Sequence, residues 1–263
     1  KANRDETPEA IRLAVPYIER ILKAMNIPIM VKKGFEADDI IGTLAKKAEK
    51  EGYKTFMVTP DKDFAQLVSE NIFMYKPGFR GGYETWGIPE VQKKFEVETP
   101  EQVIDLLGMM GDSADNIPGL HGVGEKTAKK FIKEIGSLEG LLENTDQLKG
   151  KMKEKVIDNA DLGKLSKKLA TIMLDVPVEF DEEDFEMCPP DSQAVIDIFE
   201  ELEFRRLREN FLKTFSVEAN DKKKETTEAT DKKVASSPTS RVAGAGQYSL
   251  FGEDEGNPAQ VDE

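Results

Sequence analysis

Lys54-Thr55-Phe56-Met57-Val58-Thr59-Pro60-Asp61-Lys62-Asp63 decides the fold. Phe56, Met57 and Val58 form a short apolar run of the kind that suits a pleated, half-buried surface, so residues 54–59 are predicted to be a strand. Asp61 then supplies a carboxylate to cap a short helix running through Leu67. Ile72 to Tyr75 reads as the next strand. Upstream, Pro28 to Val31 reads as a short buried strand, and residues 37–50 as an amphipathic helix stopped by Gly52. Strands alternating with helices predict an α/β domain with a mostly parallel sheet and helices on its faces.

Outward from this core, Thr7-Pro8-Glu9 opens a helix with Thr7 as N-cap. Its apolar residues Ile11, Ala14, Val15, Ile18, Ile21, Leu22 and Met25 recur at helical spacing. The stretch from Gly78 to Gly87 reads as a loop or hairpin turning at Gly81-Gly82. From Pro89 the pattern is almost wholly helical, over 89–95, 100–109, 125–135, 137–143, 150–160, 162–173 and 192–202. Prolines and acids between 177 and 191 form an extended connector. After residue 216 aromatic and branched residues give way to Lys, Glu, Thr, Ala and Ser. That composition cannot offset the entropy of ordering, and the tail is predicted to be disordered. The resulting division is 1–110, 111–216 and 217–263.

The chain has 263 residues, 38% of them hydrophobic, enough for a real core in one large domain or two small ones. No apolar run approaches the roughly 18 residues needed to span a bilayer, which argues against a membrane partner. The polar N-terminus shows no signal-peptide pattern, and the lone Cys188 excludes an internal disulfide; together they read as cytoplasmic. Thirty-seven basic against 51 acidic residues give a net charge of −14. That balance opposes nucleic-acid binding, in which Lys and Arg neutralise phosphate. The charges are grouped, however. Glu179 to Glu186 is an acidic run, whereas Lys126, Lys129, Lys130 and Lys133 cluster together.

Seven acids fall into three short clusters: Glu36, Asp38 and Asp39; Asp61 and Asp63; Asp112 and Asp115. The first two follow successive predicted strands, where ligands of open α/β sheets collect. Each cluster alone also reads as ordinary capping of a helix start. Together they suggest a site for hard divalent cations such as Mg²⁺ or Mn²⁺, and the lack of a Cys/His set argues against zinc. Two such ions would polarise a phosphate and activate water.

Directly after Asp115 comes Gly119-Leu120-His121-Gly122-Val123-Gly124-Glu125-Lys126-Thr127-Ala128. It has the form of a helix-hairpin-helix, with Gly122-Val123-Gly124 as the turn and Thr127-Ala128 opening the second helix. Glycines permit close backbone approach, and amides at a helix start make an anion nest. Gly119, Gly122, Val123, Gly124, Lys126, Thr127 and Lys130 are the candidate DNA-binding residues, gripping a duplex backbone without reading sequence. A plain helix-turn with glycine caps is the competing reading.

Phe35-Glu36-Ala37-Asp38-Asp39-Ile40-Ile41-Gly42, Thr59-Pro60-Asp61-Lys62-Asp63 and Gly111-Asp112-Ser113-Ala114-Asp115-Asn116-Ile117-Pro118-Gly119 resemble the 5′-nuclease domain of bacterial DNA polymerase I, over roughly residues 1–210. The resemblance implies a PIN-like (Rossmann-like) sheet flanked by helices, then a helical helix-hairpin-helix subdomain. It implies a 5′-3′ exonuclease and flap endonuclease acting on DNA flaps or RNA primers in replication and repair. Glu36, Asp38, Asp39, Asp61 and Asp63 match one metal group of that family, and Asp112 and Asp115 the other. The hairpin matches a duplex-binding motif that also holds a monovalent ion, commonly K⁺. Lys1 and Arg4 resemble basic residues that contact the scissile phosphate, although a loose terminus reads equally well.

Two acids and a central strand of the family pattern have no counterpart, so this chain is expected to bind metal weakly and cleave poorly by itself. A non-catalytic helix-hairpin-helix module bound to duplex DNA is the alternative. A phosphatase-like α/β domain would leave the glycine hairpin unexplained. In the tail, Gln247, Leu250 and Phe251 resemble a sliding-clamp-binding peptide, a tether raising local concentration. The family also implies a polymerase domain in the same chain.

Overall fold

A computed structural model describes residues 6–78 and 81–215. Lys1, Arg4 and the tail residues Gln247, Leu250 and Phe251 lie outside the described residues. The chain divides into two compact units. Described residues of the first are 6–8, 28–78 and 81–186. Those of the second comprise residues 9–27 and 187–215.

The first unit starts with α2 (Ala37–Lys50), then β1 (Thr55–Val58), a 3₁₀ turn (Lys62–Leu67), β2 (Ile72–Pro77) and β3 (Tyr83–Trp86). β1 and β2 are parallel, with Thr55 opposite Ile72 and Val58 opposite Tyr75. β2 and β3 form the hairpin expected around Gly81-Gly82, with Met74 opposite Trp86. The sheet therefore holds one parallel and one antiparallel pair, in the order β1-β2-β3. The strand predicted at Pro28 to Val31 does not form. Val31 is 82% exposed, and the segment has no ladder partner among the described residues. A lone extended segment gains no cross-strand hydrogen bonds.

Alternation along the strands places Met57, Ile72 and Met74 inside, while Phe56 and Val58 remain exposed. Behind the sheet come α3 (Ile88–Phe95), α4 (Gln102–Met110), α5 (Glu125–Ile135), α6 (Leu138–Glu143), α7 (Lys151–Asp158) and α8 (Ala160–Ala170). One core cluster takes Met57 and Ile72 from the sheet, Leu106 and Leu107 from α4, Phe131 from α5 and Ile172 beyond α8. Each fully buried side chain of this size contributes about 1.5–3 kcal/mol. α4 and α8 approach closely at Gly108, where a Cβ would lie 2.8 Å from the Lys167 backbone.

The second unit packs α1 (Glu9–Ala24) against α9 (Ser192–Glu201), with a helix over 205–215. Ala24, Val195, Ile198, Phe199 and Phe211 form its core. Arg20 grips Glu201 with two hydrogen bonds, of 3.2 and 2.7 Å.

Candidate metal centre and nucleic-acid interface

The end of β1 turns sharply because Thr59 and Asp61 bond the backbone ahead of them. Thr59 Oγ1 accepts from the Asp61 amide at 3.1 Å, and Asp61 Oδ1 from the Asp63 amide at 3.0 Å. The 3₁₀ turn so capped is pinned from behind by Gln66, a buried side chain. It donates to the carbonyls of Asp63 and Ala170 and accepts from the Ile172 amide. These bonds fix the backbone that carries Asp63.

Asp112 and Asp115 stand on the loop joining α4 to α5. A two-residue bridge between Asp112 and Ile117 closes this loop on itself. Asp112 Oδ1 accepts from the Ala114 amide at 2.8 Å, and its Oδ2 from Lys62 Nζ at 2.6 Å. Asp63, Asp112 and Asp115 converge, each offering a ligand atom within 4.8 Å of the others. Asp63 Oδ1 is buried with no protein partner. An orphaned carboxylate oxygen facing two further acids fits a hard divalent cation, which takes oxygen ligands.

Glu36, Asp38, Asp39 and Asp61 stand outside that close group. Asp39 serves the start of α2. Its Oδ2 accepts from the Glu36 amide at 3.1 Å, and its Oδ1 from the Met173 amide at 3.0 Å.

Burial, then the neighbouring charge of Asp61, pushes the Asp63 carboxyl up to about 6; Asp112 and Asp115 add to the shift and Lys62 opposes it. For Asp112, burial disfavours the charged form, but the Lys62 and Ala114 hydrogen bonds outweigh it and hold the group below its usual range. A carboxyl raised in the folded state binds its proton more tightly folded than unfolded. Metal-free protein therefore loses stability through Asp63 as pH rises from about 4 to about 6. Asp63→Asn should raise the metal-free melting temperature above pH 6, with the gain shrinking to nothing near about pH 4. Thermal melts of both proteins across that range, in chelator, check it; a gain independent of pH would contradict it.

The hairpin lies farther along the same loop. Gly124 is the N-cap of α5, and the amides of Glu125 and Lys126 lie in its first turn, where no helical carbonyl faces them. Val123 is buried, so only its backbone can face a ligand. The Gly119 amide is occupied by Ser166 Oγ at 2.9 Å. Lys129 is spent on Glu96 and Glu125, and Lys130 approaches Glu134 at 3.8 Å. Lys126 is exposed, as is Gly122, and Thr127 is half-buried. Sequence reasoning missed two cations. Lys62 reaches Asp112, and Lys155 of α7 brings its Nζ within 2.7 Å of the point where a Cβ on Gly122 would sit. Nothing in the spacing of Lys155 marks it, because it reaches the hairpin only through folding.

The fold resembles that of solved nucleases. The T5 D15 protein co-crystallised with metal ions aligns with TM-score 0.55 and 19% identity, over 76% of this chain and 74% of that one. T5 5′-exonuclease with bound zinc aligns with TM-score 0.54 and 23% identity, over 76% and 73%. Residues 1–103 match the family described as 5′-3′ exonuclease, N-terminal resolvase-like domain, and residues 98–193 its C-terminal SAM fold. DNA polymerase I of Bacillus subtilis is 42% identical over 212 residues, and that of Bacillus caldotenax 39% over 212. Each alignment covers 80% of this chain and 24% of the relative, so the chain spans about a quarter of the length of these relatives. The chain belongs to the 5′-3′ exonuclease family, related to the nuclease portion of bacterial DNA polymerase I.

Proposed function

We propose that this chain is the nuclease part of a DNA polymerase I. It hydrolyses phosphodiester bonds at 5′ ends and 5′ flaps of DNA, or RNA primers, in replication and repair. The convergence of Asp63, Asp112 and Asp115 around a buried, unpartnered carboxylate oxygen carries this reading. Mg²⁺ or Mn²⁺ is the ion proposed. When bound, a pair of such ions polarises the scissile phosphate and lowers the pKa of the attacking water. Glu36, Asp38, Asp39 and Asp61 complete the acidic site in this proposal, with Asp39 leaving its capping bonds. The chain's own residues hold the ions at the Asp63 turn. The amides of Gly124, Glu125 and Lys126, with Lys126 and Lys155, hold the duplex backbone. K⁺ at the hairpin, phosphate contacts by Lys1 and Arg4, and clamp binding through Gln247, Leu250 and Phe251 belong to the same proposal. So does a place at the bacterial nucleoid; among the described residues no helix is long and apolar enough to cross a membrane.

A labelled 5′-flap duplex incubated with this chain in Mg²⁺ or Mn²⁺ tests the reading, with the full-length B. subtilis relative as positive control. Flap release slower than the relative's, disappearing in chelator and in Asp112→Asn, is the expected result. Tight flap binding without cleavage by this chain, while the relative cleaves, would favour the duplex-binding module instead. Only three of the seven acids converge closely, which gives that second reading its footing.

A further inference from the structure

Asp112 has no free oxygen. Its Oδ1 takes the Ala114 amide and its Oδ2 takes the ammonium of Lys62, at 2.6 Å. The two partners differ in freedom. The Asp112 side chain is 9% exposed and is held by its bridged loop, whereas that of Lys62 is 45% exposed. Lys62 follows the capping residue Asp61 and stands one residue before Asp63, at the foot of the short turn. A long, half-exposed lysine can swing into solvent; a largely shielded carboxylate on a bridged loop cannot follow it.

We propose that Lys62 is a built-in counter-cation of the acidic centre, holding Asp112 until a divalent ion displaces it. This rests on the metal-centre reading above. The Asp112 side chain is largely shielded from water, and a shielded charge left unpaired is strongly unfavourable. With Lys62 in place the centre keeps a charge partner without metal. An arriving ion must break one charge-assisted hydrogen bond, so the lysine lowers metal affinity while protecting the metal-free fold. Once displaced, the ammonium lies within a side chain's length of the centre and can meet an anionic phosphate there.

Titration of the full 263-residue chain with Mn²⁺, followed calorimetrically, tests the exchange on wild type, Lys62→Met and Lys133→Met. Lys62→Met should bind Mn²⁺ about ten- to a hundredfold more tightly, the worth of one hydrogen bond to a charged group. Lys133→Met, which removes the same charge from an exposed position on α5, should match wild type. In chelator, Lys62→Met should melt lower than wild type, and saturating Mn²⁺ should close that gap. NMR of the lysine side-chain CεH₂ groups supplies a readout independent of affinity. The signal absent from Lys62→Met should shift on addition of Mg²⁺ to wild type. Equal or weaker Mn²⁺ binding by Lys62→Met, or a Lys62 signal that stays put while Mg²⁺ binds, overturns the exchange and leaves the metal centre standing. Absence of Mn²⁺ binding in all three proteins overturns the metal centre itself, and the exchange with it.

Discussion

Gly111→Ala should leave the chain without a cooperative folded state near room temperature. Gly111 ends α4 at φ +73°, and a Cβ there would lie 2.5 Å from the Ile117 carbonyl oxygen and 2.8 Å from the Pro118 carbonyl carbon. Gly119 faces it from the other side of the crossing, its own Cβ position 2.5 Å from the Gly111 nitrogen. Every obstructing atom is backbone, so no rotamer change relieves the overlap. The backbone cannot separate cheaply either. The Asp112 amide bonds Ile117 O at 2.9 Å, the Ile117 amide bonds Asp112 O at 2.7 Å, and the Leu120 amide bonds Met109 O at 2.8 Å. Positive φ adds about 1–2 kcal/mol of strain for a residue with a Cβ. Losses above about 4 kcal/mol are the exceptional class of substitution, set against a total stability of about 5–15 kcal/mol. Urea unfolding followed by circular dichroism reads the effect. Gly124→Ala is the control: its backbone has φ −94° and a Cβ meets nothing within 4 Å, so it should cost less than about 1 kcal/mol. Equal midpoints for the two variants would refute the account.

The second large effect is expected at Asp105, which plays no part in the acidic centre. This buried carboxylate accepts from the Leu138 amide at 2.9 Å and from Lys167 Nζ at 2.6 Å, and Lys167 also reaches Glu139 at 2.7 Å. The group joins α4, the start of α6 and α8. Asp105→Ala removes the acceptor, leaving a buried amide unpaired and a partly exposed ammonium with Glu139 alone, for about 3 kcal/mol. Asp105→Leu combined with Lys167→Met should recover much of that loss, since apolar residues of similar volume replace such pairs at little cost. The test is a double-mutant cycle by urea denaturation, in which a double variant as unstable as the summed singles would show that the two residues act separately.

Most of the elements were legible because they were local. The run Phe56-Met57-Val58, the Asp61 cap and the turn glycines each act within a few residues, and β1, the 3₁₀ turn and the β2–β3 hairpin follow them. Pro28 to Val31 does not form a strand because strand formation needs a neighbour, which periodicity does not reveal. The acids divide in the same way. The short-range pairing of Asp112 with Asp115 was readable, and so was their order relative to Asp63. That Asp39 would be bonded to Met173, 134 residues away, was not. Lys62 stands inside the motif without declaring itself, because a lysine among acids looks like relief of surface repulsion until folding brings it to the shielded Asp112.

The core that ties Met57 and Ile72 to Leu106, Phe131 and Ile172 has a bearing on inheritance. The two family matches overlap at residues 98–103, across the start of α4, as though the protein were two modules joined there. Nothing parts at that seam. Asp63 lies on one side and Asp112 on the other, and the apolar residues that hold them at one centre come from both. A recombination event at residue 100 that drew its halves from distant relatives would bring together two ill-matched pieces of one core. Its acids would be intact, but their separation would no longer be set. The halves of this unit are therefore expected to vary together, with compensating changes across the seam as well as within either side of it.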